Sequence, residues 1–156
     1  MMEVTIPGRG PLTWEHLVLD FNGTLALDGA LLPGVATRLR KLSRKLELLV
    51  ITADTFGSAS RALAGLPLHL EVLGEGVQGE RKAAAVRRLG AERTIAVGNG
   101  ANDAAMLEAA GLGIAVLGGE GAARGALLGA DVIAPDIRCA LDLLLLPGRL
   151  VATWRP

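Results

Sequence analysis

Tyrosine is absent from this 156-residue chain, cysteine occurs once, and asparagine occurs only at positions 22, 99 and 102. The lone cysteine, Cys139, excludes an internal disulfide. Neither sign of charge is in excess: Lys+Arg and Asp+Glu both total 16, which leaves no basic field to hold nucleic acid or an anionic membrane. No apolar run approaches the roughly 18 residues that a membrane span needs. The opening "MMEVTIPGRG" lacks the basic segment and apolar stretch of a secretory signal, so the expected location is the cytoplasm. What the chain does have is apolar mass, with 51% hydrophobic residues and a mean hydropathy of +0.42. At this length that mass predicts a single domain over residues 1–156, with a substantial core and an apolar surplus suited to a homo-oligomer interface.

Residues 2–21 read as a short strand, a Pro-Gly-Arg-Gly turn and a second strand leading into the apolar run Leu17 to Phe21, which predicts a hairpin against the main sheet. Further strands are expected at 46–52, 68–73, 94–97, 112–117 and 131–134. Helices are expected near 33–45, 55–65, 79–89, 102–110, 120–129 and 136–146. Strands that are apolar on both faces and separated by helices imply an α/β fold with a mainly parallel sheet covered on both sides. In such sheets ligands bind beyond the carboxyl ends of the strands, so the residues just after each strand carry the functional information.

Three strand ends stand out. Asp20, Asn22, Gly23 and Thr24 close the first apolar run, Thr52, Ala53 and Asp54 come after "LELLVI", and Asn99, Asn102 and Asp103 come after "TIAVG". A parallel sheet brings all three to one rim, and Lys82 opens a helix in "GERKAAAVRRLG". These residue types suit phosphoryl transfer through an aspartate. A carboxylate can attack phosphorus once a divalent cation and a lysine neutralise the repulsion between the two anions. Asp20, Asp103 and Lys82 fit those parts, the Thr24 and Thr52 hydroxyls and the turn amides at 22–24 could hold phosphate oxygens, and oxygen ligands suit magnesium.

Each residue also has a structural reading. Asn22-Gly23 between apolar segments is a hairpin signal, Thr52 and Asp54 could cap the next helix, and Lys82 alone reads as a solvated helix residue. "GNGAND" could be a turn leading to an N-cap. His16 and His69 sit among apolar neighbours and read as structural, and Cys139 reads as core. Order and spacing, not any one motif, favour the catalytic reading.

Asp20-Phe21-Asn22-Gly23-Thr24-Leu25, Thr52, Lys82 and Gly98-Asn99-Gly100-Ala101-Asn102-Asp103 together resemble, in order, the four motifs of the haloacid dehalogenase-like hydrolases. The resemblance covers nearly the whole chain. It is narrower toward soluble proteins related to the phosphorylation domain of P-type ATPases, in Ile51-Thr52-Ala53-Asp54, "GNGAND" and "GLGIAVLGGEGAARGALLGADVIAPD". It implies a Rossmann-like three-layer sandwich without a cap domain. It also implies a nucleophilic Asp20, a phosphate-binding Thr52, a charge-neutralising Lys82, and magnesium held by Asp20, the Asn22 carbonyl, Asn99 and Asp103. Gly23, Thr24, Ala53 and Asn102 would complete the substrate site.

Two departures matter. The superfamily's hydrolases usually carry Asp two residues after the nucleophile, to protonate the leaving group and then activate water; Asn22 has no proton equilibrium to offer. Asn99 stands where the fourth motif has its first acid, and it ligates without charge, so weak metal binding is expected. P-type ATPases carry Thr at the Asn22 position and keep their phosphoenzyme as a lasting intermediate. The resemblance therefore implies attack with slow release, on a phosphorylated small molecule or phosphoprotein. The alternative is a catalytically impaired module of the same fold that binds a phosphorylated ligand or a protein partner. A receiver domain also uses Asp, Thr and Lys at strand ends, but places its acidic pair earlier and lacks the "GNGAND" turn.

Overall fold

The apolar run ahead of Asp20 forms the strand on which the fold is built. In the computed structural model, which describes residues 1–53, 57–74 and 76–156, this strand is β3 (His16–Asp20). It lies inside a six-stranded sheet with β6 (Glu47–Thr52), β7 (His69–Val72), β8 (Thr94–Gly98), β9 (Leu112–Val116) and β10 (Val132–Ala134), ordered β10-β9-β8-β3-β6-β7 and parallel throughout. The chain winds outward from β3 through β6 to β7, then returns to β8 on the other side. The crevice between β3 and β8 is therefore the topological switch point, where such sheets bind ligands.

Side-chain alternation along these strands sets the two layers. Leu17 and Leu19 of β3, Leu48 and Val50 of β6, and Ile95 and Val97 of β8 join one core. The helices α1 (Val35–Leu42) and α6 (Ile137–Leu145) contribute Val35, Leu39, Ile137 and Leu141 to it. A bidentate Arg38–Asp142 pair, at 2.8 and 3.1 Å, ties these two helices together. On the opposite face Val18, Ile51, Ala96 and Ala115 meet Ala85, Val86 and Met106. These come from α3 (Gln78–Leu89) and α4 (Ala104–Ala109), beside which α5 (Arg124–Gly129) packs. Alanines on both sides of that second interface let α3 approach the sheet closely.

The N-terminal hairpin forms as expected, from β1 (Met2–Ile6) and β2 (Gly10–Trp14), and is a separate two-stranded sheet. It buries Met2, Val4 and Ile6 on the first core and meets the last helix, α7 (Pro147–Trp154). There Trp14 stacks on Trp154 with ring centroids 6.4 Å apart, and the Arg9 guanidinium lies 4.4 Å above the Trp154 ring while its Nε donates to the Trp154 carbonyl at 3.0 Å.

Several sequence expectations are corrected. The helix expected at 55–65 is described only as α2 (Ser58–Ala62). That expected from 120 begins at Arg124, and α7 is a helix additional to those expected. After Asp20 the hairpin pairs β4 (Ala26–Leu27) with β5 (Ala30–Leu31), turning at Asp28-Gly29 and not at Asn22-Gly23. Cys139 is exposed, because Ile137, Ala140, Leu141 and Leu144 define the buried side of α6 and Cys139 points away from them. His69 is exposed on the edge strand, and His16 lies 3.4 Å from the Glu47 carboxylate, not in an apolar shell.

Candidate active site

Asp20 ends β3, Thr52 ends β6, and Asn99 directly follows β8, so the parallel register brings all three to one rim. Lys82 lies one turn inside α3, on its buried side with Ala83, Ala85 and Val86. Its Nζ donates to Asp20 Oδ1 and to Asp103 Oδ1, both at 2.8 Å. Asp103, in a single 3-10 turn after β8, is fully buried, and its Oδ2 accepts from the backbone N–H of Asn99 at 3.0 Å and of Gly100 at 2.9 Å. Gly98 makes this possible, since a Cβ there would stand 2.6 Å from the Asp103 carboxyl carbon. Thus three hydrogen bonds converge on Asp103, leaving about one of a carboxylate's four lone-pair positions free.

Thr24 is also fully buried; its hydroxyl lies 3.1 Å from Asp20 Oδ2 and 3.2 Å from Asn99 Oδ1. It is placed to orient Asp20 and is closed to solvent. The Gly23 backbone, at φ 77°, turns the chain over Asn99. A cavity of about 250 Å³ opens above these groups, lined by Asp20, Thr52, Lys82 and Asn99, with Asn22, Ala53 and Asn102 at its margin. Asp54 lies outside the described residues. A larger hollow of about 450 Å³ is lined by Ser43, Leu46, Glu47, Leu48, Leu66 and His69, and it lies at the amino ends of β6 and β7, the opposite end of the sheet from Asp20.

One lysine between two aspartates leaves a buried excess of one negative charge. Burial, followed by the Asp103 charge, pushes the Asp20 carboxyl up to about 6 despite the opposing pull of Lys82. Burial also works against the charge on Lys82, but the two carboxylates prevail and hold its ammonium above the ordinary range. The linkage has a definite sign: a carboxyl raised from 3.8 to about 6 in the folded state supports stability at low pH and loses that support as pH rises from about 4 through 6. In metal-free protein, Asp20→Asn is therefore expected to remove this decline and to raise the melting temperature above pH 6. Thermal melts across pH 4–8 check this; a lower melting temperature for the variant at pH 7.5 would contradict it.

The donors facing the cavity are the Asp20 carboxylate, the Asn99 amide oxygen and the chain at Asn22, an all-oxygen set whose chemistry fits magnesium better than a softer metal. Glu120 joins them at the cavity wall. Sequence reasoning missed it by placing residue 120 inside a helix. The glycines on either side, Gly119 and Gly121, were the available signal that the helix starts later.

A strand-end aspartate paired with a buried lysine thus stands at the switch point of a parallel sheet. The model of the haloacid dehalogenase-like hydrolases matches residues 7–111, and the chain belongs to that family. Over 64 residues, 41% of this chain and 69% of the relative, it is 50% identical to an uncharacterised protein of Methanocaldococcus jannaschii. Its fold matches the 3-deoxy-D-manno-octulosonate 8-phosphate phosphatase of Moraxella catarrhalis, solved with magnesium, phosphate and KDO. That match has a TM-score of 0.71 at 17% identity, covering 89% of this chain and 92% of the other. It also matches a zinc-transporting PIB-type ATPase, with a TM-score of 0.62 at 28% identity over 78% of this chain and 20% of the ATPase. Among the described residues no helix is long and apolar enough to cross a membrane.

Proposed function

We propose that the chain is a magnesium-dependent phosphohydrolase or phosphoryl-transfer enzyme that works through an aspartyl phosphate on Asp20 and turns over slowly. The observation that carries this is the Asp20 carboxylate itself, nearly buried, held by Lys82 on one oxygen and Thr24 on the other, and open to the cavity. The phosphatase chemistry of the Moraxella neighbour supports the same class.

An Asp20 oxygen forms a bond to phosphorus while the bond from phosphorus to the leaving oxygen breaks. Water then attacks the acyl phosphate, and the bond between phosphorus and Asp20 breaks. Lys82 compensates the excess negative charge, and Thr52 with the amides near Ala53 and Asn22 holds the non-transferred oxygens, with Asn102 at the mouth. The Gly23 and Thr24 amides, expected from sequence to share in this, already donate to the Ala26 and Phe21 carbonyls at 2.8 and 3.2 Å. Magnesium would be held by Asp20, the Asn22 carbonyl and Asn99, with Asp103 behind them, and would supply Lewis-acid neutralisation of the phosphoryl oxygens. Asn22 brings no proton to the leaving group and no base to the water.

The partner would be a phosphorylated small molecule or phosphoprotein, in an open site that a second copy of the chain could shield. Incubation with radiolabelled acetyl phosphate is expected to label wild-type protein at Asp20 and to leave Asp20→Asn unlabelled. If a phosphorylated ligand bound but neither protein ever acquired label, the reading would give way to that of a binding module.

A further inference from the structure

The fourth-motif acid is missing at Asn99, yet the cavity does not lack a second outward-facing carboxylate. Residues 117–123 cross from β9 toward α5 directly over the site. The Leu117 and Gly118 amides donate to the Ala134 and Pro135 carbonyls at 3.1 and 3.0 Å. A tight turn comes next, with the Gly121 amide donating back to the Gly118 carbonyl at 3.4 Å and Glu120 third of its four residues. The turn bears on the nucleophile loop: a Cβ at Gly118 would lie 3.3 Å from the Gly23 carbonyl oxygen.

Glu120 and Asn99 crowd one point above Gly23. A Cβ added there would collide with Glu120 Oε2 and would stand 2.6 Å from Asn99 Nδ2 and 3.1 Å from its Oδ1. Among the described residues Glu120 has neither an ion-pair nor a hydrogen-bond partner, so its carboxylate is not committed elsewhere in the protein.

The same turn accounts for the identity of residue 99. Asn99 Nδ2 donates to the Gly121 carbonyl at 3.1 Å, and the Ala123 amide donates to the Asn99 carbonyl at 2.8 Å. An amide can both offer its oxygen to the site and donate to Gly121, which an ionised carboxylate cannot. An aspartate at 99 would face that carbonyl and the Glu120 carboxylate with no proton to give. The amide at 99 and the carboxylate at 120 are thus complementary.

We infer that Glu120 supplies the anionic oxygen ligand that Asn99 lacks, moving one charge of the metal site from the strand end to the β9–α5 turn. This rests on the reading of Asp20, Asn22 and Asn99 as a magnesium site. It also revises the expectation from sequence that the site is one charge short.

The test is calorimetric titration of magnesium into the full chain and into Glu120→Gln, with melting temperatures confirming that the exposed loop variant is folded. The substitution keeps size and removes charge, and is expected to weaken magnesium binding about 10- to 100-fold, the range typical of changes around a metal site. A change smaller than about tenfold overturns the inference, even where hydrolysis slows, because Glu120 would then act on water or substrate and not on the metal. Wild-type protein that binds no magnesium overturns it together with the metal part of the proposed function. Acetyl phosphate labelling of Asp20 in the Glu120→Gln protein separates the two: label with unchanged magnesium affinity sinks the Glu120 assignment and leaves the aspartyl-phosphate reading standing.

Discussion

Replacing Asn22 by Asp is expected to accelerate hydrolysis of an alkyl phosphate ester by about 100- to 10,000-fold, the range that general acid–base catalysis supplies. Asn22 is exposed at the cavity margin, two residues beyond Asp20, and its side chain is not part of the packed core. The isosteric acid therefore fits without disturbing the fold. Ester substrates should gain most, since an alkoxide needs a proton as it leaves, whereas acetyl phosphate has a good leaving group and should gain little in the labelling step. Breakdown is different: the acyl phosphate needs a base to activate water whichever donor formed it, so label on Asp20 should decay faster in Asn22→Asp than in wild type. Steady-state ester hydrolysis and rapid-quench decay of the label measure the two effects separately. Equal ester rates in the two proteins would mean that the missing acid is not what limits turnover.

Lys82→Met is expected to destabilise the protein by about 3–5 kcal/mol, the usual consequence of removing one partner of a buried ion pair. Lys82 is 1% exposed and donates to two carboxylates. Without it Asp20 and Asp103 would face each other with no opposing cation. The loss should be largest at neutral and higher pH and smaller in acid, because burial and Asp103 already push the Asp20 carboxyl up to about 6 with the lysine present. Adding Asp20→Asn to Lys82→Met should restore part of the stability, since one of the two repelling charges is then gone. Urea denaturation at pH 5 and pH 8 checks the magnitude and its direction with pH. A Lys82→Met protein within about 1 kcal/mol of wild type would show that the pair is solvated and not buried.

The parallel sheet and the strand-end aspartate were legible because each rests on a local pattern. Strands apolar on both faces separated by helical periodicity leave few other arrangements, and Asp20, Thr52 and Asn99 sit at the carboxyl ends that this arrangement aligns. What escaped depended on competition or on tertiary contact. Asn22-Gly23 and Asp28-Gly29 are rival turn signals close together in the chain, and a two-residue type I′ turn needs positive φ at both central positions. Asp28 and Gly29 have it, at 52° and 79°, whereas at the first pair only Gly23 does. Pro147, in the first turn of α7, was a usable start signal that the preceding run of leucines obscured. Glu120 is marked in the sequence only by its flanking glycines, which place it in a turn but not at the site; it reaches the cavity because Asn99 latches the turn that bears it.

The absence of tyrosine has an optical consequence. Two tryptophans, at 14 and 154, are the chain's whole complement of that residue. Both stand in the contact between the N-terminal hairpin and α7, beyond the amino end of β3 and therefore away from Asp20. The protein's intrinsic fluorescence is thus a local gauge of that clasp and is blind to the cavity. A ligand entering the cavity beside Asp20 has no indole nearby to report it. Unfolding followed by emission dates the separation of α7 from the hairpin, whereas far-ultraviolet dichroism dates the melting of the sheet and helices, so agreement between the two curves is what licenses a two-state description of this fold.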